Sequence, residues 1–200
     1  MKIIKAFLRG IRLLISRNMD VINRFAEFHE TSTLSLPVTI SGGGNIYIAD
    51  HCNINSDAIF YATNAKIIIK KYFIAAKGLQ IITGSHERRI GRFCASITES
   101  EKNHNIGLDK DVVINEDVWC GMDVTILPNV TVGRGCTIAA CSVLSKSTPP
   151  YSIWGGVPAK FIKFYWSIDE IIKHEEILYP PNERLSREEL EKFFNQYNAI

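Results

Sequence analysis

The chain has 200 residues, of which 46% are hydrophobic and 22% are charged, and its formal net charge is +2. This length suits one globular domain or one solenoid with appended segments, so we expect no second catalytic domain. The near-neutral charge, without a basic, aromatic-interleaved patch or a recognised nucleic-acid motif, argues against nucleic acid as a partner.

Residues 1–30 begin as a basic amphipathic segment that we expect to be helical. Its apolar residues recur at helical spacing from Ile3 to Ile15, and Lys and Arg residues interrupt them. These charges exclude a transmembrane helix, and no small-residue cleavage site of a signal peptide follows. We therefore expect a cytoplasmic protein. Its residues 1–17 either rest peripherally on an anionic membrane surface or pack on the solenoid end or a partner subunit.

Residues 114–148 carry two interleaved series of mostly apolar residues, each at a spacing of six. A helix requires apolar residues three and four apart, and it would tolerate neither Pro128 nor this density of β-branched residues. Six is a multiple of two, so short strands with one corner per hexad fit the pattern. The first series is Ile114, Cys120, Ile126, Val132, Ile138 and Leu144, and the second is Val118, Val124, Val130, Cys136, Ser142 and Thr148.

The corners of this pattern carry Asp117, Asp123, Asn129 and Gly135, which accept left-handed backbone. Stacked coils of this kind pair their backbones and bury a continuous apolar axis, so we predict a β-solenoid of hexapeptide repeats over residues 38–164. An earlier array follows the same rule less cleanly. Its step from Phe60 to Ile69 is nine residues, and we expect a corner to bulge outward there.

Residues 87–107 are polar and aperiodic, and they predict a long excursion between the two arrays. Excursions of this length in compact domains are more often functional than accidental. Arg88, Arg89 and Arg92 in this segment either pair with an anionic acceptor or simply solubilise the loop.

The chain has five cysteines and no C-x-x-C pair. Cys52, Cys120 and Cys136 fall on inward repeat positions. We therefore expect small buried hydrophobes in a reducing cytosol rather than disulfides or a zinc site.

The repeat ends near Phe164, and residues 165–200 become helical. Ser167 with Glu170 and Ser186 with Glu189 each fit a capping box, and consecutive prolines separate the two segments. We expect these helices to cover the last coil or to form an oligomer contact.

Residues 112–163 combine the repeats with four short motifs: V-W-x-G (Val118 to Gly121), Ala139-Ala140-Cys141-Ser142-Val143, Pro149-Pro150 and G-x-P-A-K (Gly156 to Lys160). On these motifs, the segment closely resembles the hexapeptide-repeat acyltransferases. Within these it is most similar to the sugar O-acetyltransferases, the group with the galactoside and maltose O-acetyltransferases and many enzymes of bacterial surface polysaccharides. The resemblance implies a left-handed parallel β-helix, a homotrimer, and acetyl-coenzyme A lying along the groove between neighbouring subunits.

Acetyl transfer to a hydroxyl requires a base, and a neutral histidine is the usual choice. His86, in the segment T-G-S-H, resembles the T-G-H segment of the sugar acetyltransferases, whose histidine takes the proton of the acceptor hydroxyl. The segment here has one extra residue. His104, in K-N-H-N, is either the rival base or an acceptor contact; the three other histidines lie outside such motifs.

The resemblance places the pantetheine arm of acetyl-coenzyme A past Trp119 and near Ala140, and it places the 3′-phosphate near Lys146 and Lys160, with Lys163 nearby. Ser142 is counted with these cofactor-binding residues, and its hydroxyl is a candidate side-chain contributor to the oxyanion site. We expect no metal. The carbonic anhydrase branch of this architecture requires three histidines around a metal, and no suitable third ligand stands beyond His86 and His104.

These residues together predict an O-acetyltransferase acting on a sugar hydroxyl, of a bacterial cell-surface polysaccharide or its precursor. Two alternatives remain open. An N-acetyltransferase acting on an amino sugar would use the same base, and a non-catalytic solenoid scaffold would need neither the base nor the coenzyme A residues.

Overall fold

The computed structural model describes residues 21–104 and 107–198. The described chain winds through three parallel sheets, with strand orders β1-β4-β7-β10-β13 (first sheet), β2-β5-β8-β11-β14-β16-β17 (second sheet) and β3-β6-β9-β12-β15 (third sheet). From β1 to β15 every third strand therefore joins the same sheet, one coil further along, and the predicted parallel β-helix is confirmed. The strands are β1 (Glu27–Phe28), β2 (Thr33–Leu34), β3 (Val38–Ser41), β4 (Ile46–Ile48), β5 (Asn53–Ile54), β6 (Ala58–Tyr61), β7 (Ile67–Ile69), β8 (Ile74–Ala75), β9 (Gln80–Ile82), β10 (Val112–Ile114), β11 (Trp119–Cys120), β12 (Thr125–Ile126), β13 (Thr131–Val132), β14 (Thr137–Ile138), β15 (Val143–Leu144), β16 (Ser152–Gly156) and β17 (Ala159–Phe164).

The interior of the coil is the stack of side chains that the spacing of six predicts. Ile69, Ile114 and Val132 lie opposite one another in successive coils of the first sheet and are buried. Removing an isoleucine side chain from water stabilises the fold by about 1.5–3 kcal/mol. Cys52, Cys120 and Cys136 are free and buried, which confirms their assignment as small hydrophobes.

The corners of the coil adopt left-handed backbone. Asp117, Asp123 and Asn129 have φ angles of 58°, 54° and 67°, and Gly135 has 66°. Short polar side chains and glycine tolerate this conformation best, so the corner residues singled out in the sequence are confirmed.

The solenoid begins earlier than the expected residue 38. Strand β1 pairs with β4, and β2 pairs with β5, so a further coil precedes that point. Phe28, Leu34 and Ile40 are six apart and pack in the core, a signal that the sequence analysis missed. The amphipathic helix expected within residues 1–30 falls largely on residues 1–20, which lie outside the described residues; Ile22–Arg24 form one turn of 3-10 helix.

The last coil is closed by a β-hairpin that the sequence did not indicate. Strand β16 lies parallel to β14, and β17 turns back antiparallel to β16. The hairpin strand β17 ends at Phe164, the residue near which we placed the end of the repeat, whereas the last strand at the spacing of six is β15. Two helices follow, α1 (Ile168–Leu178) and α2 (Arg187–Asn198), and both predicted capping boxes are confirmed by the Ser167–Glu170 and Ser186–Glu189 hydrogen bonds.

A buried ion pair fastens α1 to the side of the coil. Arg134 Nη1 lies 3.1 Å from Glu175 Oε1, and the Arg134 guanidinium lies 3.9 Å from the centre of the Tyr179 ring. The Tyr151 hydroxyl donates a hydrogen bond of 2.9 Å to the same Glu175 oxygen. Because Glu175 is only 1% exposed, its charge depends on these partners.

Neither α1 nor α2, the α-helices of the described residues, is long and apolar enough to cross a lipid bilayer.

Candidate active site

His86 stands where the chain leaves the coil. Thr83, which follows β9, is buried, and its hydroxyl donates to the Tyr61 carbonyl at 3.1 Å. The chain then runs outward, so His86 is exposed and makes no hydrogen bond to the described residues. The segment between β9 and β10, residues 83–111, therefore presents the imidazole at its very start.

A cavity of about 250 Å³ lies beside His86. It forms where the corner between β6 and β7 meets the excursion. That corner carries Thr63 and Asn64, and it accounts for the nine-residue step from Phe60 to Ile69, so the predicted outward bulge is confirmed. The lining consists of Tyr61, Thr63, Asn64, Ile82, Gly84, Ser85, His86, Glu99, Lys102 and Asp109.

Asp109 is the centre of a polar network at this cavity. Its Oδ1 lies 2.7 Å from Lys102 Nζ, and its Oδ2 lies 3.3 Å from His104 Nδ1. The side chains of Asp109 and Lys102 are each 8% exposed. Burial by itself raises the pKa of Asp109, but the hydrogen bonds from Lys102 and His104 outweigh this effect, and the pKa is lowered. The carboxylate is therefore charged at neutral pH.

His104 belongs to this network but does not line the cavity. It lies behind the carboxylates, with Nε2 at 3.9 Å from Glu99 Oε1. The candidate base His86 and the rival His104 thus occupy different positions, one on the cavity wall and one outside it.

Glu99, His104 and Asp109 have side-chain ligand atoms within 4.8 Å of one another, a spacing that also suits a bound metal ion. The Lys102 ammonium lies 2.7 Å from Asp109 and 3.7 Å from Glu99, and it supplies positive charge between these carboxylates. We assign no metal to this cluster.

Charged pairs fold the excursion onto itself. Arg89 Nε lies 2.6 Å from Glu87 Oε1, and the Asn103 N–H donates to Glu87 Oε2 at 2.8 Å. The Arg89 hydrogen bond, followed by that of Asn103, lowers the pKa of Glu87 to about 2. Arg92 pairs with Glu101 at 3.3 Å. Arg89 and Arg92 are therefore engaged within the loop.

The residues expected to hold the cosubstrate lie on other parts of the coil. Trp119 points outward from β11 and is 49% exposed, and Ala140 is exposed at the corner after β14. Gly121 makes this corner compact, because a Cβ atom there would meet Ala140 N at 2.7 Å. This contact explains the glycine of the V-W-x-G motif.

The three expected phosphate-binding lysines, Lys146, Lys160 and Lys163, are exposed. Lys160 and Lys163 lie on β17, opposite Gly155 and Ile153 of β16. The hairpin thus presents both lysines beyond the last coil.

Ser142 occupies a different environment from the one expected of an oxyanion donor. It is fully buried, and its Oγ accepts a hydrogen bond of 3.1 Å from the Gly156 N–H. In this structure the hydroxyl holds the β16–β17 hairpin to the last coil.

One chain does not bring the expected base and the pantetheine-binding residues to the same corner. His86 follows β9 of the third sheet, at the corner that leads to the first sheet. Trp119 lies in the second sheet, and Ala140 lies at the corner between the second and third sheets.

The hexapeptide coil, with a histidine presented at an excursion from it, defines the class of the hexapeptide-repeat transferases. The profile of the family "Bacterial transferase hexapeptide (six repeats)" matches residues 111–146. A probable macrolide acetyltransferase of Lysinibacillus sphaericus is 34% identical over 158 residues, which cover 66% of this chain and 84% of that protein. A putative lipopolysaccharide biosynthesis O-acetyl transferase of Escherichia coli K12 is 31% identical over 169 residues, which cover 80% and 83% of the two chains.

Solved structures of acetyltransferases also match this chain. A maltose O-acetyltransferase of Clostridium difficile 630 superposes with a TM-score of 0.61 at 27% identity, covering 76% of this chain and 75% of that chain. A hexapeptide-repeat acetyltransferase of Vibrio cholerae in complex with acetyl-coenzyme A also gives 0.61 at 27% identity, covering 76% and 78%. The chain belongs to the hexapeptide-repeat acetyltransferase family and is an enzyme.

Proposed function

We propose that the protein transfers the acetyl group of acetyl-coenzyme A to a hydroxyl of a sugar, in a bacterial cell-surface polysaccharide or its precursor, with His86 as general base. The observation that carries this proposal is the exposed His86 imidazole on the wall of a cavity of about 250 Å³. The O-acetyl transferase relative of lipopolysaccharide biosynthesis and the maltose O-acetyltransferase structure support a sugar hydroxyl as the acceptor.

The mechanism follows from the chemistry of a thioester and an alcohol. His86 accepts the proton of the acceptor hydroxyl while the oxygen attacks the thioester carbonyl carbon. Backbone N–H groups of a coil corner stabilise the oxyanion. The C–S bond then breaks, and the coenzyme A thiolate takes the proton from the imidazolium. A thiolate departs readily, so no second acid residue is required.

Trp119 and Ala140 are proposed to flank the pantetheine arm, and Lys146, Lys160 and Lys163 to contact the 3′-phosphate. Their exposure supports these roles, since each of these side chains is accessible to a ligand. Ser142 serves the fold instead, and we assign it no contact in the reaction.

The active unit is proposed to be a homotrimer with sites between subunits. Within one chain, His86 and Ala140 lie at different corners and two coils apart, so a neighbouring copy is required to bring a base next to the cosubstrate held by Trp119 and Ala140. We place the reaction in the cytoplasm, where acetyl-coenzyme A is available. Peripheral membrane contact through residues 1–17 is part of the same proposal and lies outside the described residues.

The test is an acceptor screen. The purified protein is mixed with acetyl-coenzyme A and a panel of neutral, amino and acidic sugars, and released thiol is measured. Release that yields an ester, cleaved by mild alkali, supports the proposal. An alkali-stable amide on an amino sugar would establish N-acetylation instead. A scaffold would release no thiol with any acceptor and would show no thermal shift with acetyl-coenzyme A.

A further inference from the structure

The cavity beside His86 carries more negative than positive charge. Its charged lining residues are Glu99, Lys102 and Asp109. Lys102 and Asp109 form a close pair at 2.7 Å, and both side chains are 8% exposed, so each neutralises the other. Glu99 lies further from the same ammonium, at 3.7 Å, and its side chain is 59% exposed. Glu99 therefore sets the charge that an acceptor meets.

The Glu99 carboxylate is held in place with one oxygen free for a ligand. Asn64 Nδ2, from the bulged corner, donates to Glu99 Oε1 at 2.6 Å. Among the described residues, Glu99 Oε2 accepts no hydrogen bond. A fixed carboxylate oxygen accepts hydrogen bonds from sugar hydroxyls, attracts an ammonium group, and repels carboxylates and phosphates.

The arginines of the excursion do not offset this charge. Arg89 pairs with Glu87, and Arg92 pairs with Glu101. Neither they nor Arg88 lines the cavity. Among the described residues that line the cavity, the lysine or arginine that an anionic acceptor would meet is Lys102, whose ammonium is already engaged by Asp109.

We infer that Glu99 is a specificity-determining residue that selects a sugar bearing a positive charge over a neutral sugar, and a neutral sugar over an acidic one. This inference rests on the proposed function, because it assigns the cavity to the acceptor. The excursion arginines could either pair with an anionic acceptor or serve the loop itself. On this inference, Arg89 and Arg92 stabilise the folded loop and do not bind an anionic acceptor.

Three acceptors that share the same sugar ring and the same methyl aglycone test the inference. They are a methyl glucoside, its 2-deoxy-2-dimethylammonio analogue, and the methyl glucuronide. The tertiary amine is not converted to an amide, so every product is an ester. At low ionic strength we expect kcat/KM to fall by about 3- to 10-fold at each step from cation to neutral to anion, a range typical of a partly exposed charge. Added salt should compress the series.

Variants of Glu99 separate specificity from catalysis. Glu99→Gln retains an acceptor for Asn64 and should bring the three values to within about 2-fold, while Glu99→Lys should reverse the order. Glu188→Gln, an exposed carboxylate on α2, is the matched control and should leave the series unchanged. A wild-type preference for the glucuronide, or an unchanged series in Glu99→Gln, would overturn the inference with the acetyltransferase intact. No thiol release with these or a wider panel of sugars would instead refute the proposed function.

Discussion

The Asp109 carboxylate lies directly against the backbone of Gly84: a Cβ atom on Gly84 would meet Asp109 Oδ1 at 2.7 Å. Gly84 precedes His86 by two residues, and Asp109 lies close to the start of β10. This contact joins both ends of the excursion at the cavity, so the position of His86 and the position of the Lys102–Asp109 pair are coupled.

Gly84→Ala should therefore displace Asp109 and shift the base. We expect kcat to fall by about 10- to 100-fold, because small displacements at a reacting centre are costly, while binding of acetyl-coenzyme A is retained in calorimetry. Asp109→Ala should restore part of the loss in the double variant, since it removes the clashing atoms. Gly44→Ala is the control, because a Cβ atom there meets nothing within 4 Å. Purely additive losses in the double variant would show that the two residues are not coupled.

The two histidines of the site should differ in their effect on turnover. His86→Ala should lower kcat by about 100- to 10,000-fold, the usual contribution of a general base, and leave the dissociation constant of acetyl-coenzyme A unchanged. His104→Ala should lower kcat by less than about 10-fold, since His104 contacts Asp109 and lies outside the cavity. The opposite ranking of the two variants would make His104 the base.

Lys160→Ala should weaken binding of acetyl-coenzyme A by about 10- to 100-fold, since a charge-assisted contact to a phosphate contributes about 1.5–3 kcal/mol. The loss should disappear with 3′-dephospho-coenzyme A, because that ligand lacks the group that the lysine contacts. Lys192→Ala on α2, with a side chain 71% exposed, is the control. Equal losses for both forms of coenzyme A would place Lys160 elsewhere in the site.

As the pH is lowered, the excursion should lose its folded structure at a higher pH than the coil does. The pKa values of Glu87 and Glu101 are lowered from 4.5 to about 2, through Arg89 and Asn103 for Glu87 and through Thr98 and Arg92 for Glu101. A depressed folded-state pKa contributes stability above the unfolded pKa, and this contribution is lost as the pH falls from about 4.5 towards 2.

Hydrogen exchange, corrected for the intrinsic rate, should thus show residues 93–102 losing protection as the pH falls from about 4.5 to about 2, with the coil still protected. Glu87→Gln should reproduce this loss at pH 7. Protection that stays constant across this pH range would show that the ion pairs and hydrogen bonds of Glu87 and Glu101 do not hold the loop in its folded conformation.

Arg134→Met should destabilise the fold by about 3–5 kcal/mol, because it leaves the Glu175 charge buried without its cationic partner. Chemical denaturation measures the change. Adding Glu175→Gln should recover much of the loss, since the uncompensated charge is then absent. Lys192→Ala breaks the exposed Lys192–Glu188 pair and should cost less than about 1 kcal/mol. Similar losses for the Arg134 and Lys192 variants would contradict the account of the α1 attachment.

The sequence predicted the coil interior because burial in a β-helix repeats with the chain. Ile114, Cys120 and Ile126 show this directly, since each is fully buried at a spacing of six. The first coil was not predicted because the second series is not clearly apolar there: Ser32 is polar and Val38 is partly exposed. Ser32 is buried, and its hydroxyl donates a hydrogen bond of 2.6 Å to the Ala49 carbonyl. The first series, Phe28, Leu34 and Ile40, is apolar at a spacing of six, but a buried hydroxyl at Ser32 interrupts the second series that would have supported it.

Only part of the candidate active site could be predicted from the sequence. His86 and the lysines lie in motifs, so a resemblance identifies them. Asn64, Glu99 and Asp109 meet across 35 and 45 residues of sequence, through a bulged corner and a loop without periodicity. Their proximity depends on tertiary contacts, and the only local signal was the irregular nine-residue step that contains Asn64.

The central claim is that the His86 imidazole faces the thioester. A crystal structure of the protein with coenzyme A bound tests it most directly. The account predicts the coenzyme A sulfur at the mouth of the cavity, with the His86 ring of one subunit facing a cosubstrate held by Trp119 and Ala140 of its neighbour. A sulfur atom facing His104, or lying where no His86 ring of any subunit reaches, would contradict it.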